Sequence, residues 1–128
     1  MSQENVEIVR AFFEAVRRGD FREAVTHLAP DVVYRVGQEG PAHGPDAVRA
    51  IWERWESEWE TVEMTHEHFI DAGEQVVVVT REEARGRGSG IEIVGYFFNV
   101  FTLRDRKIVH KVEFTERAKA LEAAGLAD

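Results

Sequence analysis

The chain has 128 residues, of which 44% are hydrophobic and 31% are charged, and its net charge at pH 7 is -8. This length and composition are typical of one globular domain, and no stretch approaches the roughly 20 apolar residues that a membrane span needs. The acidic balance argues against nucleic-acid binding, which requires a basic face, and the lack of cysteine excludes disulfides, thiolate metal sites and a cysteine nucleophile.

The chain begins with apolar residues at helical spacing, which predict a first helix ending before Gly19. Asp20 followed three residues later by Glu23 is typical of a capping box, and it predicts a short second helix that includes Leu28 and is closed by Pro30. The apolar stripe of the first helix consists of Val9, Phe12, Phe13 and Val16.

A strand is predicted over residues 32–36, where alternation places Tyr34 and Arg35 on opposite faces. Residues 38–44 are expected to form a loop. Pro45 then begins a third helix, whose stripe at three- and four-residue steps extends to Trp59 and contains three tryptophans.

From residue 61 the apolar period changes to two, which predicts strands. His66 and His68 are expected to share one face of the first of these strands, over residues 62–70. Further strands are predicted over residues 75–85, 91–103 and 107–115, with a glycine-rich turn at 86–90 and a turn at Asp105-Arg106, before a helical tail at 116–125. Helices over about residues 3–60 followed by a meander over about 61–115 predict a single α+β domain spanning residues 1–128.

Four short phrases and the order of elements resemble a known family. The phrases are FFEA at 12–15, GD at 19–20, KIV at 107–109 and ALEAAGL at 120–126. The chain resembles a SnoaL-like protein of the nuclear transport factor 2 superfamily, whose relatives include polyketide cyclases, ketosteroid isomerases, epoxide hydrolases and noncatalytic adaptors. The resemblance implies a cone of N-terminal helices on a strongly curved antiparallel sheet, a pocket inside the cone and a homodimer.

The resemblance also implies a site on the last two long strands. In the polyketide cyclases an acid/base His and Asp lie fourteen residues apart there, and the matching positions here are Asn99 and Glu113. Glu113 keeps a carboxylate and is predicted to be the base, while Asn99 would donate a hydrogen bond to a developing enolate. Because Asn99 does not transfer protons, a two-residue relay is in doubt. Alternatively, Glu113 forms an ion pair with Lys111 or Arg35 and Asn99 binds neighbouring backbone.

Other members of the superfamily suggest different sites, which fit this sequence less well. Arg35 stands where ketosteroid isomerases have their catalytic Asp, so steroid isomerisation is disfavoured. An inward Arg35 would bind a carboxylate or enolate; alternatively, it neutralises Glu113 or lies at the rim of the pocket. An epoxide hydrolase site would use Arg81 with Glu83 on one strand face, but Asn99 stands at its other carboxylate position. A charged, solvent-facing strand end is the more ordinary interpretation of Arg81 and Glu83.

Several further residues are predicted to bind a ligand. Lys111 shares a strand face with Glu113, and His43 precedes the third helix near the expected pocket mouth. His66 and His68 have a chelating spacing but lack a third ligand nearby, so no metal site is predicted, and no cofactor motif is present. The predicted apolar pocket residues are Phe13, Val16, Trp52, Trp55 and Phe97.

Together these patterns predict a pocket protein acting on a small, apolar, carbonyl-bearing metabolite by cofactor-free acid/base chemistry of the cyclase or isomerase kind. The alternative is a noncatalytic ligand-binding or dimerisation domain, which the absence of histidine at position 99 favours. The start of the chain has no basic residue before an apolar run, so the sequence predicts neither a secretory signal nor a transit peptide. We therefore expect a cytoplasmic protein with a small-molecule partner.

Overall fold

The computed structural model describes residues 2–36 and 40–126. Its helices and strands follow the predicted order of helices first and sheet afterwards. In chain order they are α1 (Ser2–Arg17), α2 (Phe21–Val25), β1 (Leu28–Tyr34), β2 (Ala42–His43), α3 (Pro45–Glu58), β3 (Trp59–Ala72), β4 (Gln75–Gly86), β5 (Glu92–Arg104), β6 (Lys107–Phe114) and α4 (Arg117–Ala123).

The strands form a sheet in the order β2-β1-β6-β5-β4-β3. All neighbours are antiparallel except β1 and β6, which pair in parallel through Tyr34 and Lys111. The predicted α+β class is confirmed, but the sheet is mixed rather than wholly antiparallel. The chain between β1 and β6 contains α3 and the antiparallel meander, and it supplies the long crossover that a parallel pair requires.

The first two helices meet at a tight turn that the sequence predicts. Gly19 has φ +74°, a left-handed conformation that glycine adopts without strain. Asp20 accepts a hydrogen bond from the backbone N–H of Glu23 at 3.1 Å, so the predicted N-cap is confirmed. The second helix is shorter than predicted. Leu28 already belongs to β1, because the backbone N–H of Ile108 donates to the carbonyl of His27 at 2.8 Å and begins the sheet there.

Three helix or strand boundaries differ between the sequence prediction and the structure. β1 ends at Tyr34, so Arg35 and Val36 lie just beyond it. The expected loop at 38–44 contains the short strand β2, while its residues 38 and 39 lie outside the described residues. Trp59 has extended backbone angles and begins β3 instead of ending α3.

A bulge in β3 overturns one predicted face. His66 pairs with Thr80 and His68 pairs with Val79, which leaves Glu67 as an extra residue between them. The bulge reverses the alternation of side chains. His66 therefore points toward α1 and is half-buried, whereas His68 is exposed, and the prediction that the two histidines share a face is wrong.

The two turns of the meander are confirmed. Asp105 and Arg106 have φ angles of 51° and 66° between β5 and β6, the pair of positive values found in a two-residue hairpin turn. The glycine-rich segment between β4 and β5 closes with a hydrogen bond from the backbone N–H of Gly86 to the carbonyl of Ile91 at 2.7 Å.

The two faces of the sheet have different coverings. The inner face packs against α1, α2 and α3, with Phe12 at the centre of a cluster of aromatic rings that includes Trp52 at 5.6 Å and Phe101 at 5.8 Å. The outer face is covered in part by α4, whose Ala120 and Ala124 pack against strand valines. Within residues 2–36 and 40–126, no helix is long and apolar enough to span a membrane.

Candidate active site in the hollow between helices and sheet

A branched hollow lies between the helices and the inner face of the sheet. Its innermost chamber has a volume of about 40 Å³, a neighbouring branch has about 130 Å³, and an open mouth has about 440 Å³. The chamber and the mouth share Trp52, Trp55 and Met64, whereas the chamber and the branch share Glu82 and Glu113. The three openings therefore border one another.

Strand alternation and register bring these polar groups together. Asn99 of β5 lies directly opposite Glu113 of β6, and Lys111 lies opposite Phe101 on one side and Tyr34 on the other. Glu82 of β4 follows Thr80 on the same face by two residues. The meander thus places two carboxylates, an amide and an ammonium group on neighbouring inner-face positions.

Lys111 is the most unusual group of the chamber, because only 4% of its surface is exposed. Its Nζ donates a hydrogen bond to the backbone carbonyl of Arg35 at 3.3 Å and lies 4.6 Å from the centre of the Tyr34 ring. Burial lowers the pKa of Lys111 to about 8, although the negative charges of Glu113 and Glu82 act in the opposite direction. Both the ammonium and the neutral amine are therefore accessible near neutral pH.

The pKa values of two other groups at the hollow depend on the charge of Glu113. The pKa of Glu82 is raised, first by burial and then by the charge of Glu113, while Lys111 lowers it. The hydroxyl of Tyr34 has its pKa raised by burial and by Glu113, against an opposing interaction with Trp52. Burial thus shifts both Glu82 and Tyr34 toward their protonated forms.

Asn99 contributes a buried acceptor. The residue is 6% exposed, and among the described residues no donor reaches its Oδ1. An unpaired buried polar atom is unfavourable by about 1–3 kcal/mol. A donor from an ordered water or from a ligand in the chamber would satisfy this atom.

The structure brings eight of the ten residues predicted from the sequence to the innermost chamber. Arg35 and His43 do not reach it. The side chain of Arg35 is exposed because Tyr34 takes the inward position in the alternation, and His43 is exposed in β2. The predicted residues that do line the chamber are Phe13, Val16, Trp52, Trp55, Phe97, Asn99, Lys111 and Glu113.

The sequence prediction overlooked Glu82 as a pocket residue. The pair considered on that strand, Arg81 and Glu83, instead forms a partly exposed ion pair at 3.2 Å on the other face. The signal was present in the sequence, because alternation from the apolar Val78 through Thr80 to Ala84 places Glu82 on the buried face.

His66 is a second group whose position the sequence did not predict. Its ring lies against Phe13, with the ring centres 3.9 Å apart, and its Nδ1 is 2.9 Å from Thr80 Oγ1. Burial lowers the pKa of His66 to about 4, so the ring is neutral at pH 7. Over the part of the chain that the structure describes, no group of three or more His, Asp or Glu residues could hold a metal ion.

Solved structures share this fold over almost the whole chain. An NTF2-like protein from Burkholderia xenovorans LB400 is 27% identical, with 97% of this chain and 98% of that chain covered and a TM-score of 0.78. An NTF2-like protein of unknown function from Burkholderia pseudomallei K96243 is 23% identical, with coverages of 93% and 95% and a TM-score of 0.80. A putative SnoaL-like polyketide cyclase from Jannaschia sp. CCS1 is 19% identical, with coverages of 99% and 95% and a TM-score of 0.80.

The family assignment rests on the sequence as well as on the fold. No curated protein matches the chain. The model of the SnoaL-like domain matches residues 9–111, which extend from α1 to Lys111 and include most of the residues around the hollow. The chain belongs to the SnoaL-like domain family.

Proposed function

We propose that the domain binds a small, largely apolar carbonyl compound in the hollow and moves a proton at the carbon next to the carbonyl, without a cofactor. The observation that carries this proposal is the meeting of Glu82, Glu113 and Asn99 at one aromatic-walled chamber. The chain belongs to the SnoaL-like domain family, and its fold is similar to that of a putative SnoaL-like polyketide cyclase, which supports the same class of chemistry.

The walls of the hollow favour an apolar ligand. Phe13, Trp52, Trp55 and Phe97 border the chamber, and ligand sites typically combine such walls with a few polar groups that fix orientation. A flat ring or short hydrocarbon body would lie in the mouth and the branch against Trp52, Trp55 and Phe97, because the chamber of about 40 Å³ has room only for the carbonyl end. Its carbonyl end would then be directed toward the polar groups on β4, β5 and β6.

The carboxylates provide an acid and a base in different environments. Glu82, whose pKa is raised by burial and by Glu113, would hold a proton and donate it to the carbonyl oxygen. Glu113 would remove the proton from the adjacent carbon, which yields a neutral enol. The O–H of that enol would donate to Asn99 Oδ1, the acceptor for which the described residues provide no donor.

Deuterium exchange tests the proposal without knowledge of the natural substrate. With 1-indanone as the probe in D2O, the protein should speed deuterium incorporation next to the carbonyl, as followed by NMR. Glu113→Gln should lower the protein-dependent rate by about 100-fold, the lower end of general-base effects. Glu83→Gln is the matched control, since that carboxylate lies outside the hollow and pairs with Arg81. Equal rates for Glu113→Gln and the native protein would refute the assignment, and binding without exchange would identify a noncatalytic ligand-binding domain.

We also propose that the protein is a homodimer formed through the outer face of the sheet. Val94 and Tyr96 of β5 are 62% and 47% exposed there, which is unusual for side chains of this size. Burying that face against a second copy would remove them from water. Sedimentation equilibrium should give twice the chain mass for the native protein and one chain mass for Val94→Lys.

A further inference from the structure

We propose that Lys111 is a nucleophile, and that its Nζ forms an imine with an aldehyde or ketone held in the hollow. This inference extends the proposed function, since it assumes a carbonyl ligand in the same chamber. It differs from that proposal in requiring a covalent bond between the protein and its ligand.

The position of Lys111 supports a chemical role. A lysine that only supports the fold usually keeps its ammonium group in water, whereas Lys111 is 4% exposed and lines the innermost chamber. Its Nζ is oriented by the carbonyl of Arg35 at 3.3 Å and by the face of the Tyr34 ring at 4.6 Å. These contacts hold the nitrogen at the wall of a space that a carbonyl carbon can enter.

The surroundings also favour the reactive form of the amine. Only a neutral amine attacks a carbonyl, and an ordinary lysine with a pKa near 10.4 has only a very small neutral fraction at pH 7. With a pKa lowered to about 8 by burial, Lys111 would be neutral in roughly one molecule in ten at that pH. The groups that face it and oppose this effect are Glu82 and Glu113, while Tyr34 is held uncharged.

Formation of the imine needs no proton donor or acceptor beyond the groups around the hollow. The lone pair of Nζ forms a bond to the carbonyl carbon, and the carbonyl oxygen takes a proton from Glu82 to give a carbinolamine. A proton lost from the nitrogen returns through Glu82 to the hydroxyl, which leaves as water, and a protonated imine results. Glu113 would then remove the proton from the neighbouring carbon more easily, because the positive nitrogen accepts the electron pair.

Reductive trapping tests the imine directly. The native protein is incubated at pH 7 with benzaldehyde and sodium cyanoborohydride, and peptide mapping by mass spectrometry locates each reduced adduct. The chain has three lysines, so Lys107 and Lys119 are internal controls; Lys107 donates to the carbonyl of Thr26 and Lys119 pairs with Glu116. Lys111 should be labelled at least about tenfold faster than either control, because its neutral fraction is larger. Labelling of Lys111 at or below the rate of Lys119 would overturn the proposal.

The choice of probes separates this inference from the proposed function. Benzaldehyde has no hydrogen on the carbon next to its carbonyl, so trapping requires no proton transfer by Glu113 and should persist in Glu113→Gln. Lys111→Arg keeps the positive charge but removes the nucleophile, and it should slow exchange into 1-indanone to the rate of direct enolisation by Glu82 and Glu113, whereas Lys119→Arg should leave the rate unchanged. Full exchange by a folded Lys111→Arg variant would show that no imine lies on the reaction path, while leaving the role of Glu113 intact.

Discussion

Replacing Asn99 by valine should make the protein more stable and remove the proposed exchange activity. The Oδ1 atom of Asn99 is buried, and within the described residues it has no donor, an arrangement that is unfavourable by about 1–3 kcal/mol. Valine removes this atom, suits the centre of a strand, and has room beside a chamber of about 40 Å³. Allowing about 1 kcal/mol for other contacts of the amide that are lost, we expect a net gain of about 1 kcal/mol in the free energy of unfolding.

For a domain of this length, that gain corresponds to a rise of roughly 4 °C in Tm. Thermal and urea unfolding, followed by circular dichroism without ligand, would measure it. Thr102→Val is the matched control on the same strand, since Thr102 Oγ1 already accepts a hydrogen bond from Gln75 at 3.3 Å. The free energy of unfolding of Thr102→Val should be lower than that of the native protein by about 0.5–1.5 kcal/mol, the usual contribution of one hydrogen bond. If Asn99→Val is destabilised as much as Thr102→Val, the amide belongs to the fold and the argument for a ligand at its oxygen fails.

Three further predictions concern titration and local structure. The rate of reductive trapping at Lys111 should rise with pH and level off above about 8, the pKa to which burial lowers it, as peptide mapping across pH would show. Burial lowers the pKa of His66 to about 4 in the folded protein, so the neutral ring stabilises the fold above pH 6.5 and this contribution is lost as the pH falls toward 4. The free energy of unfolding of His66→Leu, measured by denaturant titration, should therefore depend less on pH over this range than that of the native protein. Asp20→Ala should lower the free energy of unfolding by about 1 kcal/mol through loss of the N-cap of α2, and an unchanged denaturation midpoint would contradict this.

The sequence specified the elements of the fold better than their exact ends. Long periodic stripes identified α1 and α3, because burial of one face repeats over many residues. The parallel pairing of β1 with β6 was not predicted, because the paired residues are 77 to 80 positions apart in the chain. Local sequence patterns do not show which distant segments pair. The bulge at Glu67 was not predicted either, because no sequence pattern marks one extra residue in a strand. The bulge nevertheless reverses the face to which each following side chain points.

The candidate site was predictable where strand alternation decides which way a side chain points. Alternation places Asn99, Lys111 and Glu113 on the inner face, as the structure has them. Arg35 was predicted to bind a ligand, but alternation with the inward Tyr34 turns it outward, and it is exposed. Glu82 was missed because charged neighbours on both sides made its strand end look solvent-facing. The lowered pKa of Lys111 depends on burial beneath helices from the other half of the chain, which only the three-dimensional structure reveals.

The central claim is that a carbonyl ligand occupies the hollow, and an NMR titration with 1-indanone tests it most directly. If the ligand binds in the hollow, the backbone amide signals of Asn99 and Glu113, which are paired across β5 and β6, should shift in a saturable manner. The signals of Val94 and Tyr96 on the outer face should remain in place. Saturable shifts confined to the outer face, with those of Asn99 and Glu113 unmoved, would contradict it.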